Sequence, residues 1–159
     1  MTARIKVELD FSNPRLPDTV GLAYAAGLFD GEGCVHIARQ KKASARRGHI
    51  FRLTVSVAQN HLDTLVDFQT LTGIAGRIYG TRRQGTSNRD SYSLNYGGKD
   101  AETLLETLRP FLRRKQDEAD EALRFQRNCE INRHFGPKGC PDAIWRQRER
   151  HYKKLRSLK

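Results

Sequence analysis

The segment Thr19–Gly33, TVGLAYAAGLFDGEG, constrains the fold more than any other stretch, because a run of small and apolar residues leads directly into two carboxylates. At 3.6 residues per turn, Ala23, Ala26, Gly27 and Asp30 share one stripe of a helix, and Leu22, Ala25, Leu28 and Phe29 share the adjacent stripe. The large apolar groups suit the chain's own core. The nearly bare stripe suits close approach by a second helix. Gly27 costs about 1 kcal/mol of helix propensity relative to Ala, which makes sense where the position must be small. Asp30 and Glu32 then fall at the C-terminal end, where the helix dipole disfavours negative charge, and the chain turns through Gly31 and Gly33. Two acids in an unfavourable place point to a bound cation; a solvated turn at the end of a core helix is the plainer alternative.

The segments on either side alternate. Residues 1–17 form an extended lead-in ending in Asn13-Pro14 and Leu16-Pro17, with Val7, Leu9 and Phe11 on one side of it, and Asp18 or Thr19 can cap the helix. After Gly33, Val35 and Ile37 face one way while Cys34, His36, Ala38 and Gln40 face the other. A basic turn, Lys41 to Gly48, joins this strand to His49–Gln59, whose period of two is the cleanest in the chain: Phe51, Leu53, Val55 and Val57 against Arg52, Thr54 and Ser56. Asn60 can cap a helix that Gly73 stops. A second hairpin follows in residues 76–96, with Ile78, Tyr92, Leu94 and Tyr96 inward and Arg77, Tyr79, Thr81, Ser91, Ser93 and Asn95 outward. Helices are expected over Asp100–Leu108 and from about Lys115 to Ile131, and a basic amphipathic helix over 141–159. The order helix, two strands, helix, two strands, helix, helix predicts the α+β class, with four strands in one antiparallel sheet, helices on its inner face and a polar, basic outer face.

Charge bears on the partner of that face. Lys and Arg number 29 against 18 Asp and Glu, a net charge of +11 with a pI near 10.0, which points to a polyanion, with nucleic acid the first expectation. Basic residues are interleaved with patterned apolar ones, so a folded binding surface is expected over a disordered tail. An eight-residue strand spans about 26 Å at roughly 3.3 Å per residue, enough to follow seven or eight base pairs in a major groove. The 159 residues suit one domain, with a core over about 18–131 and a basic extension over about 141–159. No apolar stretch approaches a membrane span and the N-terminus lacks a signal-peptide core, so a soluble intracellular protein is expected. Three cysteines without a C-x-x-C pair suggest no disulfide framework, and Cys129, His134, Cys140 and His151 match no familiar zinc spacing.

Ala25 to Gly33, AAGLFDGEG, resembles the motif that names the LAGLIDADG homing endonucleases. It matches at Ala26, Gly27, Leu28, Asp30 and Gly33, and departs with Ala25 for Leu, Phe29 for Ile, Gly31 for Ala and Glu32 for Asp. The αββαββα order of the elements extends the resemblance over about 18–131. It implies a metal-dependent endonuclease of intron-mobility type that cleaves both strands of a long, pseudo-palindromic duplex. With one motif in the chain, it further implies a homodimer meeting through Ala23, Ala26, Gly27 and Asp30. Mg2+ or a similar divalent ion is the implied cofactor, held by Glu32 and the carbonyl of Gly31. Gln59, at the end of the second strand of the first hairpin, corresponds to the family's water-ordering residue, and Lys115 in PFLRRKQ to its active-site lysine; Arg114 is the alternative. DNA contacts are expected from His36, Gln40, Arg52, Thr54, Ser56, Arg77, Tyr79, Thr81, Arg83, Ser91, Ser93 and Asn95, and from Lys41, Lys42, Arg46 and Arg47 in the basic turn. A non-cleaving DNA-binding regulator, an intron RNA maturase of the same fold and a general RNA-binding protein are the competing readings.

Overall fold

Period-two alternation, once strands pair, sends every second side chain to the same face of a sheet. In the computed structural model, which describes residues 2–7, 18–81, 90–129, 131, 135–136 and 139–159, that sheet has five strands. In chain order the elements are β1 (Thr2–Ile5), α1 (Thr19–Glu32), β2 (Gly33–Lys41), β3 (His49–Gln59), α2 (Leu62–Thr72), β4 (Arg77–Thr81), β5 (Ser91–Gly97), α3 (Gly98–Leu108), a 3-10 turn Arg109–Phe111, α4 (Gln116–Asn128) and α5 (Asp142–Ser157). The strands lie in the order β1-β4-β5-β3-β2, every neighbour antiparallel. The α+β class is as expected, with one strand more than the four foreseen. The extra strand is β1, whose Thr2↔Thr81 to Ile5↔Ile78 pairing covers the free edge of β4. Only Ile5 of those four residues has a large apolar side chain, so local patterning is weak and the partner decides the conformation. Val7 packs against the core, while Leu9 and Phe11 lie outside the described residues.

The core lies between the sheet and the helices. Phe51, Leu53, Val55 and Val57 of β3 are buried together with Val35, Ile37, Ile78, Leu94 and Tyr96, and Phe29 of α1 stacks on Phe68 of α2 with ring centroids 6.5 Å apart. Each such aromatic contributes roughly 1.5–3 kcal/mol by leaving water. α1 begins at Asp18, whose carboxylate accepts the Gly21 amide. It ends with no loop at all: Gly33 is both its cap and the first residue of β2, in extended backbone, with its N–H bonded to the Phe29 carbonyl. A Cβ at Gly33 would lie 2.5 Å from that carbonyl oxygen, so only glycine permits the helix to turn straight into the strand. α2 is capped at His61, one residue later than Asn60, without a side-chain cap bond, and Gly73 closes it at φ 68°.

α4 begins at Gln116 and ends at Asn128, a little shorter than the expected 115–131. α5 is fastened to it through Glu121, whose carboxylate is 1% exposed and meets His151 Nδ1 at 2.7 Å and Lys154 Nζ at 3.0 Å. Burial pushes Glu121 up, but the bonds from Lys154 and His151 hold it below the ordinary carboxylate value. Leu155 is buried, and Trp145 and Tyr152 pack around Phe51 with centroids 5.7 and 5.5 Å away. Among the described residues no helix is long and apolar enough to cross a membrane.

Candidate functional site

The two acids at the end of α1 do different things. Asp30 turns its half-buried carboxylate towards the turn before α4, where Oδ2 accepts the amides of Arg113 at 2.7 Å and Arg114 at 3.2 Å and Oδ1 accepts that of Lys115 at 2.9 Å. Burial raises its pKa, but the amides of Arg113, Lys115 and Arg114 outweigh that and hold it below the ordinary value. Lys115 in turn donates from Nζ to the Asp30 carbonyl at 2.6 Å and is only 2% exposed. Burial, then Arg114, lowers the pKa of that ammonium. Arg114, the alternative inward residue, is exposed. Glu32 is exposed and takes no hydrogen bond or ion pair among the described residues.

Gln59 stands at the same corner. The β2–β3 ladder starts at Gly33↔Val57, so Gln59 lies two residues beyond it, at the end of the sheet where α1 stops; its Oε1 accepts the Asn60 amide at 3.3 Å. Glu32, Gln59 and Lys115, far apart in sequence, are thus placed around one end of α1 by the turn at Gly33, the β3 register and the Asp30 clamp on α4. The clamp itself was not legible in the sequence; its only signal was a second acid two residues before the first glycine-flanked one.

The open face of α1 is rotated from the one expected. Ala25, Ala26 and Phe29 are fully buried, whereas Val20, Ala23, Tyr24, Gly27 and Gly31 face outward, Val20 and Tyr24 being 79% and 58% exposed. Ala26 therefore belongs to the chain's own core rather than to a contact stripe, and Asp30 is committed to α4. The observed and expected stripes differ by roughly 60° about the helix axis at about 100° per residue, because Ala25, Ala26 and Phe29 together form the side that the core takes. A Cβ at Gly27 or Gly31 would meet nothing within 4 Å.

The outer face of the sheet is polar. Register aligns Cys34, Ser56, Asn95 and Arg77 in one row across β2, β3, β5 and β4, and Ala58, Ser93, Tyr79 and Arg4 in the next across β3, β5, β4 and β1. Gln40, Arg52, Arg77 and Ser91 are exposed; His36, Thr54, Ser56, Tyr79, Ser93 and Asn95 are half-buried. Burial and Lys159 hold the His36 imidazole below its ordinary pKa. Thr81 pairs with Ser91 at the end of β4, and Arg83 lies outside the described residues. In the basic turn Lys41, Lys42 and Arg46 are exposed, but Arg47 is not available in the way its charge suggested. It folds beneath the turn, its guanidinium 4.6 Å from the Trp145 ring and paired with Asp142 at the start of α5. Arg4 joins the outer face through β1 and was missed because β1 was.

The sequence matches the LAGLIDADG-like domain family over residues 19–109, 91 of the 159 residues. The chain belongs to the LAGLIDADG family. Solved LAGLIDADG homing endonucleases share its fold. I-CvuI, in complex with its target in the presence of Ca, has a TM-score of 0.70 at 20% identity, with 88% of this chain and 82% of that chain covered. The archaeal intron-encoded I-Vdi141I, complexed with DNA, gives 0.67 at 16% identity over 88% and 84%. I-TnaI gives 0.60 at 15% identity over 86% and 94%. No curated protein matches the chain in sequence. The LAGLIDADG match stops short of Lys115, α4 and α5, so the Asp30 clamp and the docking of α5 rest on this chain's own geometry.

Proposed function

We propose that this LAGLIDADG protein is a homodimeric, divalent-metal-dependent DNA endonuclease of the homing type, which binds a long, roughly twofold-symmetric duplex in a DNA-containing compartment and hydrolyses one phosphodiester in each strand. The observation that carries this reading is a Glu32 without a partner among the described residues, at the negative end of a helix and two residues from an acid that is fully engaged in structure. A carboxylate left bare in that place is stabilised by a cation. The donors fit a hard ion such as Mg2+: the Glu32 carboxylate and the Gly31 carbonyl offer oxygen. One chain gathers no group of three or more His, Cys, Asp or Glu among its described residues, so further carboxylates would come from a second copy. When bound, such an ion lowers the pKa of water and offsets charge on the phosphate.

The chain's own residues do the rest. Asp30 fixes the turn that carries Lys115; in this reading the Lys115 ammonium, which rests on the Asp30 carbonyl in the free protein, offsets charge on the strand being cut. The Gln59 amide orders solvent at the same end of the sheet. The rows of Ser56, Asn95 and Arg77 and of Ser93, Tyr79 and Arg4 present hydrogen-bonding groups to base edges and phosphates, with Gln40 and Arg52 nearer the basic turn. Two active corners are needed for two strands, and the open face of α1, with unfilled space at Gly27 and Gly31, suits a second α1 at close range.

The test is cleavage of a duplex selected by binding from a randomised library. With Mg2+ the wild-type protein linearises a plasmid carrying that site, and Glu32→Gln cuts at least roughly 100-fold more slowly while binding within tenfold of wild type. A Glu32→Gln variant that cuts at the wild-type rate removes Glu32 from the role given to it. Tight binding without linearisation by the wild type, in any divalent ion, would point instead to a non-cleaving DNA-binding regulator.

A further inference from the structure

Beside the acidic corner lies a cavity of about 310 Å3, between the start of β2, the turn before α4 and the last turn of α5. Three cations border it, Arg114, Lys115 and Lys159, together with Cys34 and the largely buried carboxylate of Glu118. We propose that this cavity is a seat for a backbone phosphate of the DNA strand adjacent to the cleaved bond, and that Lys159, two residues past the end of α5, is its outermost ligand. The inference rests on the endonuclease reading above and adds to it a residue outside the region of family match.

Placement supports it. β2 is the free edge of the sheet, and Cys34 follows Glu32 by two residues. α5 is pinned to α4 through Glu121, with His151 at 2.7 Å and Lys154 at 3.0 Å, so its end is delivered to that edge rather than left loose. There Lys159 Nζ lies 3.2 Å from Cys34 Sγ and is close enough to His36 to oppose its protonation. Lys159 thus reaches the outer face, beside the DNA-facing row that begins at Cys34 and Ser56. On the other wall Lys115 is fixed to the Asp30 carbonyl, and Arg114 beside it is exposed. Among the side chains that line the cavity three positive groups face one carboxylate, with Asp30 behind Lys115 as the next acid, so cations outnumber acids around a singly charged phosphodiester; the volume equals that of roughly ten waters at ~30 Å3 each, room for the phosphate and its shell.

The experiment compares wild type with Lys159→Ala, Lys159→Arg and Lys153→Ala. Lys153 is a control of equal charge in the last turns of α5, well exposed and 3.8 Å from Glu149. Lys159 is exposed, so all variants should melt at the wild-type temperature. Duplex affinity is measured against salt concentration. Lys159→Ala should lower the slope of log K against log salt by about 0.9 per protomer, Lys159→Arg should restore it and Lys153→Ala should leave it unchanged. Duplexes with a single methylphosphonate at each position flanking the cut then locate the contact. Wild type loses affinity at one position where Lys159→Ala loses none.

Equal slopes for wild type and Lys159→Ala, or the same methylphosphonate profile in both, overturn the proposal. So does inorganic phosphate that binds as tightly as the duplex and is lost in Lys159→Ala, which would make the cavity a free-anion site. All readouts are binding, so a protein that binds but never cuts refutes the endonuclease reading while the slope still decides Lys159. A protein that binds no duplex refutes both.

Discussion

α1 has one face closed by its own chain and one face left open, and the two obey different rules. On the closed face the choices have internal reasons: Ala25 and Ala26 are fully buried, Phe29 fills the space against Phe68, and Gly33 is glycine because the Phe29 carbonyl lies 2.5 Å from where a Cβ would stand. On the open face the same residue type has no internal reason, since a Cβ at Gly27 would touch nothing. The acids divide likewise. Asp30, turned inward, is satisfied three times over by backbone amides; Glu32, turned outward, has no partner among the described residues. One face encodes the fold, and the other fits the assembly and chemistry proposed for it.

Substitutions on each face sharpen or break this contrast. Phe29→Ala should cost about 3–5 kcal/mol of unfolding free energy, read by urea titration, because a fully buried ring leaves a cavity between α1 and α2; a loss below 1 kcal/mol would mean that the closed face is not sealed. Asp30→Ala should cost about 1–3 kcal/mol, since three amides lose their acceptor. The Asp30 contribution is pH-dependent with a definite sign. Its folded pKa lies below the ordinary 3.8, so the stabilisation is complete above that value and is lost as pH falls through the folded pKa. Wild type and Asp30→Ala should therefore converge in stability in acid below pH 3.8, and an unchanged gap there would contradict the clamp. Gly27→Ala should do the opposite of a core change. At dilutions where protomers separate it should raise stability by about 0.5–1 kcal/mol through helix propensity, while sedimentation at higher concentration shows a weaker dimer. A loss of protomer stability would show that Gly27 is needed within the chain.

The parts of the fold that were legible are those set by local pattern. His49–Gln59 alternates so cleanly that its buried face could be named residue by residue, and the helix–strand order followed from similar runs. β1 was not legible because only Ile5 gives it a large apolar side chain, and the free edge of β4 supplies its partner. Glu32, Gln59 and Lys115 were singled out through resemblance to the family, and the roles given to them belong to the proposal. The rotation of α1 was not, because Ala26 is equally suited to a bare stripe and to a tight core. Arg47 read as a DNA-facing cation from its neighbours in the basic turn, yet its partners are Trp145 and Asp142, the latter 95 residues away.

By itself, the sequence determined the α+β class, the turn from an acid-tipped helix into a strand, the strongly basic balance and the alternating face of the sheet, because each depends on residues within a few positions of one another. Only the tertiary structure decided which acid is bound and which is bare, which face of α1 is open, and that Lys159 meets Cys34 across 125 residues. Those outcomes depend on contacts between distant segments, where a rotation of one helix by less than a turn exchanges a buried group for an exposed one, and no local pattern carries that information.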